Sequence, residues 1–178
     1  MRLTHVPSTL LLALATAFAP PVTRAGDTPS AADIAAINSF QLDQDFLDRY
    51  MAVQEDAAKN PCHLSMLALL GDEQPRSLDQ VASRYDAQPG VHAMFARHGL
   101  TGRQALIGMS VLTAAAMQDL EQSHPEMTQY VDTHGSRVSA GNLVFYRAHN
   151  ARIHQHQQAL GKRLLAANGG KLPDCLSH

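Results

Sequence analysis

Tryptophan is absent from the 178-residue chain, there are only two cysteines, and aromatic residues make up 5% of the total. So few cysteines exclude a disulfide-dense miniprotein. Charge is scarce as well: 17% of residues are charged and the formal net charge is −2. A balance this close to neutral gives no electrostatic footprint for nucleic acid or for an anionic membrane surface. Long apolar runs are also missing. The stretch from Gln104 to Gln118 is uncharged but contains Ser110 and Thr113, and it falls short of the roughly 20 apolar residues a spanning helix needs. No stable membrane insertion of the mature chain is therefore expected. Runs of alternating apolar and polar residues rich in Val, Ile or Thr are not found, which removes the usual signature of a sheet. What the chain does have is ten histidines and seven methionines in a composition that is 45% hydrophobic.

The N-terminus reads as an address. Arg2 supplies positive charge, Leu10 to Ala19 form an uncharged apolar run, and Thr23-Arg24-Ala25 places small residues where a signal peptidase reads them. Residues 1–25 are thus expected to be a signal peptide cleaved near Ala25, and the mature protein periplasmic or secreted. Cys62 and Cys175 stand near opposite ends of the mature chain. In an oxidising compartment an even pair is expected to be bonded, closing a loop whose entropic contribution is about 4 to 5 kcal/mol. The alternative is a pair of metal thiolates acting with His63 and His178.

Helical signals fill the rest, and the expected class is all-α: a compact bundle of three to four main helices with short accessory ones. Residues 26–42 read as a flexible leader with a short helix at Ala31–Ile37, and residues 43–178 as one α-helical domain. Asp43 caps a first main helix reaching about Lys59, with Asp45, Asp48, Glu55 and Asp56 largely outside. Pro61 opens a second helix through Leu70. Ser77 caps a helix to Ala87, Pro89-Gly90 breaks the chain, and a short helix follows over Val91–His98. Thr101 and Gln104 form a capping box ahead of a helix to about Gln122, expected to be buried on all sides. Pro125 starts a brief helix ended by Gly135, and Ser139 caps the last long helix, running to about Ala167.

That last helix carries the candidate site. At about 100° per residue, Phe145, His149, His156, Asn142, Leu160, Ile153, Tyr146 and Leu164 share an arc of roughly 100°, while His154 points away. Asn142, Tyr146, His149 and His156 therefore insert polar chemistry into an apolar stripe and are the candidate ligand-binding residues. His149 and His156 are two turns apart, about 10.5 Å along the axis, too far to share one ion without partners from another helix. His149 and His156, or His63 with Met66 one turn apart, are the candidate ligands for a soft metal such as copper, for zinc, or for haem; Met94, Met109, Met117, His92 and His98 extend the inventory. No metal or haem is assigned from the sequence, because C-x-x-C-H and H-E-x-x-H are both missing. Catalytic residues are likewise unassigned: there is no G-x-S-x-G elbow, S-x-x-K or phosphate-binding loop. The Asp43, Asp45, Asp48 group reads as solvated surface.

Two stretches carry a resemblance. The segment from Gly99 through Thr101, Gln104 and Gly108 to Leu112, and Val138-Ser-Ala-Gly-Asn142 with Phe145 and His149, resemble a set of small exported α-helical proteins of proteobacteria that have no assigned activity. The resemblance implies a helical fold and export. Leu100-Thr101-x-x-Gln104 is also similar to the LTxxQ motif of periplasmic stress chaperones, which carry it twice where this chain has it once. The expected role is a non-enzymatic binding domain for a protein partner or small ligand, with metal or haem handling and a stress chaperone or inhibitor as alternatives.

Overall fold

The computed structural model describes residues 30–59, 77–126, 137–171 and Pro173. Among these residues there are six helices and no strand, so the chain is all-α. Side chains account for most of the helix starts. α1 (Ala31–Ser39) is capped by Ser30, whose hydroxyl accepts from the Asp33 amide at 3.1 Å. α2 (Gln44–Ala58) begins where the Asp43 carboxylate accepts from the Phe46 amide at 2.7 Å. Ser77 caps α3 (Leu78–Ala87), and Ser139 caps α6 (Ala140–Ala167). α5 (Gly102–Ser123) carries the complete capping box: Thr101 Oγ1 accepts from the Gln104 amide and Gln104 Oε1 from the Thr101 amide. Each such cap satisfies amides that the first helical turn leaves without a partner.

Two boundaries differ from expectation. Pro89 opens α4 (Pro89–Arg97) instead of only breaking the chain ahead of Val91. A proline there forfeits no helical hydrogen bond, and its fixed φ already suits the first turn. α4 ends at Gly99, whose φ of 67° is left-handed backbone that favours glycine. The leader, in turn, is held from Ala31 onward. Asp33 is only 4% exposed, and its carboxylate accepts from the amide of Leu78, the first residue of α3, at 3.3 Å. The positive end of the α3 dipole favours that charge. Residues 1–25, the helix expected over 61–70 and most of the one expected between Pro125 and Gly135 lie outside the described residues.

The remaining architecture follows from α5, which packs against α1, α3, α4 and α6. Ala105, Leu106, Ile107, Gly108, Val111 and Ala115 are its buried side, joined in the core by Tyr85, Val91, Met94 and Phe95 from α3 and α4. The expected burial on all sides holds only over residues 105–108, with Gln104 exposed ahead of it. Towards its end α5 exposes Met117 and uses polar side chains to bind α6: Gln118 Oε1 accepts from the Val138 amide, and Asp119 and Gln122 accept from Arg147. α2 lies across the start of α5 at Gly108, where an added Cβ would stand 1.9 Å from Phe46 Cζ. Phe46 itself is fixed by Phe40 edge-on at 5.1 Å and Tyr50 stacked at 5.7 Å.

Candidate functional site

α2 and α6 form a seam in which contacts climb together along both chains. Leu42 meets Asn142, Asp48 meets Arg152, and Glu55 meets His156 and Arg163. Rising numbers on both sides mean that the two helices run parallel. Their charges are complementary: α6 has Arg147, Arg152, Lys162 and Arg163 and not one acid, whereas α2 carries Asp45, Asp48, Glu55 and Asp56. Asp48 and Glu55 stand two turns apart on α2, as His149 and His156 do on α6, so the same step recurs along the seam.

The lower end is a backbone staple. Asn142 is 1% exposed; its Oδ1 accepts from the Leu42 amide and its Nδ2 donates to the Phe40 carbonyl, both at 2.8 Å. Both ends of this amide are thereby committed to the link between α1 and α2, and Asn142 works as a fastener of the fold instead of presenting a free polar group to a ligand. Tyr146 is buried one turn later, its hydroxyl 3.4 Å from Asn150 Oδ1. Burial, with the Asp119 carboxylate nearby, raises its phenol above the usual value.

At the middle step His149 is half-buried and rests against Phe145, ring centroids 4.3 Å apart. Asp48 lies within its field. That carboxyl is held below the usual range by hydrogen bonds from Gln44 and Arg152, with the charges of Arg152 and His149 adding to them.

His156 occupies the upper step, and its side chain is 14% exposed. Nδ1 faces Glu55 Oε1 at 3.5 Å, beyond the usual length of a hydrogen bond. Nε2 is fully shielded from solvent and has no hydrogen-bond partner among the described residues. It is the one buried side-chain nitrogen or oxygen among them in that condition. A carboxylate can only accept, so the neutral tautomer that suits Glu55 carries its proton on Nδ1 and leaves Nε2 as a buried lone pair. Burial pushes the imidazole below its ordinary pKa, against the opposing pull of Glu55. Glu55 is itself lowered, chiefly by its hydrogen bond from Arg163. On their own helices Met51 sits one turn before Glu55 and Leu160 one turn after His156, and both are buried.

The other expected ligands do not join this site. Met94 is core at 2% exposure and Met117 is 38% exposed. His98 binds Asp56 Oδ2 at 3.1 Å, and His92 faces Asp86. Asp56 is more than solvated surface: it takes Lys59, Arg97 and His98 together, and their hydrogen bonds hold its carboxyl far below the usual range. Among the described residues no group of three His, Cys, Asp or Glu side chains could hold a metal ion, and no helix is long and apolar enough to cross a membrane. Cys62, His63, Met66 and Cys175, and with them the expected disulfide and the His63/Met66 ligand pair, lie outside the described residues. Sequence reasoning missed Glu55 as the carboxylate facing His156 and Asp48 as the charge near His149; their two-turn spacing, equal to that of His149 and His156, was the available signal.

Comparison with protein-family models, with curated proteins and with solved structures finds no match for this chain.

Proposed function

We propose that the chain is an exported, non-enzymatic helical binding domain that recognises a small ligand at the α2–α6 seam. The observation that carries this reading is the buried Nε2 of His156, without a hydrogen-bond partner among the described residues. Leaving a buried polar atom unpaired costs about 1 to 3 kcal/mol, and such an atom in a folded protein calls for a role. With its proton on Nδ1, Nε2 accepts, so the ligand group it recognises is a hydrogen-bond donor attached to an apolar body that suits Met51 and Leu160. Reaching Nε2 requires the side chains over it to part, so the ligand competes with the closed seam.

A carboxylate behind Nδ1 and a lone pair at Nε2 is also the arrangement found behind metal-bound histidines, which favours copper, zinc or haem iron as a second reading. One experiment separates them. The purified protein and His156→Leu are heated at pH 7.5 with a panel of small phenols and primary alcohols, and separately with Zn2+, Cu+ and haemin. The small-ligand reading expects a phenol or alcohol to raise the melting temperature of the parent by several degrees and leave the variant unmoved. A shift given only by metal or haem, and lost in the variant, replaces it with the second reading. No shift at all, or equal shifts in both proteins, overturns both.

Export and the disulfide complete the proposal and rest on the N-terminal pattern and the two cysteines. The intact mass of protein recovered from the periplasm is expected to begin at Gly26 and to rise by about two mass units on reduction, the two hydrogens taken up by a cystine. A retained Met1, or an unchanged mass on reduction, refutes the corresponding statement.

A further inference from the structure

We propose that the upper step of the α2–α6 seam is an acid-released latch: neutral His156 keeps it closed, and protonation of that ring loosens α6 from α2. The geometry is one-sided. Among the described residues Glu55 on α2 is the only anion facing the ring, and its carboxylate is already engaged by Arg163. Lys59, just past the end of α2, adds positive charge beside the same carboxylate. From α6 itself Arg152 and Arg163 face His156 with like charge. A proton added at Nε2 creates a buried N–H with no acceptor among the described residues, and a third cation beside Arg152 and Arg163.

The lowered imidazole value agrees in sign. A histidine whose folded pKa lies below the unfolded value, about 6.5, stabilises the fold above 6.5, and that contribution is lost as pH falls through the folded value. Glu55, held below its usual range by Arg163, keeps its charge down to pH 5. Between pH 7.5 and 5.0 the change at this step therefore belongs to His156.

The latch shares its histidine with the binding proposal but needs no ligand: a flat pH response ends it while any fragment shift at pH 7.5 stands. The test is backbone hydrogen exchange of the 150–163 amides at pH 7.5 and 5.0, corrected for intrinsic rates, in the parent and in His156→Leu. Opening of this segment is expected to increase by about threefold or more on acidification in the parent and to stay unchanged in the variant. In the parent, NMR titration of the His156 ring is expected to give a midpoint below 6.5. A midpoint at or above 6.5, no acceleration at pH 5.0, or equal acceleration in the variant overturns the latch. Should His156→Leu fail to fold, the ring titration and the parent's exchange decide together.

Discussion

Gly108→Ala lowers the melting temperature by on the order of 5 to 10 °C. On an exposed helix the same change would stabilise by about 1 kcal/mol, since alanine is the better helix former. Here the new Cβ would fall 1.9 Å from Phe46 Cζ and 2.5 Å from Cε2, inside the ring's own volume. The ring has nowhere to retreat: Phe46 is 7% exposed, with Phe40 against its edge and Tyr50 against its face. Relief must come from α2 and α5 moving apart or from an unfavourable Phe46 rotamer, and overpacking of this kind costs about 1 to 3 kcal/mol or more. Differential scanning calorimetry of Gly108→Ala, Phe46→Leu and the double variant checks it. Because the smaller leucine makes room for the methyl group, the double variant is expected to lose less than the sum of the two single losses. A Gly108→Ala protein as stable as the parent would falsify the close approach.

Asn142→Ala is expected to remove on the order of 3 kcal/mol, measured by urea denaturation. The loss exceeds that of an ordinary hydrogen bond because two backbone groups, the Leu42 amide and the Phe40 carbonyl, lose their partner in a site that is 1% exposed. Asn142→Asp separates acceptor from donor. The carboxylate still accepts from Leu42 but meets the Phe40 carbonyl with charge; once protonated it can donate to that carbonyl. Its folded pKa is therefore raised above the unfolded value, so the interaction is present at low pH and lost as pH rises through the raised value. The stability gap to the parent should narrow as pH falls from 7 towards about 4. A gap that stays constant would mean that the Phe40 bond contributes nothing.

Local chemistry was the legible part of the sequence. Asp43, Ser77, Thr101 with Gln104, and Ser139 announce helix starts because a cap and its partner lie within three residues of each other. Periodicity also brought His156 and Asn142 to the inner face of the last helix. It could not say what they would meet there. The partners of Asn142 are 100 and 102 residues away, and helix geometry is silent about which distant face arrives opposite. Asp45 and Asp48 of α2 do lie outside, but Glu55 and Asp56 were misjudged for the same reason. On an isolated helix Glu55 and Asp56 point outward; in the protein their outward side is where α6 and α4 lie, so Glu55 takes Arg163 and Asp56 takes Arg97. Gly108 gave no local warning either, because its meaning lies in a ring on another helix.

The parallel course of α2 and α6 bears on how the protein can be made. A ribosome delivers a chain N-terminus first, so residues 40 to 55 exist well before residues 142 to 163 that fasten them. Until then the Phe40 carbonyl, the Leu42 amide, Asp48 and Glu55 lack these partners, and α6, cationic and without one acid, gains its counter-charges only on docking. Closing such sequence-distant contacts is the slow part of folding. α1 and α2 are thus fastened only once α6 arrives, as a box is closed by its lid, and a chain cut short before α6 would leave its first helices without their fastening.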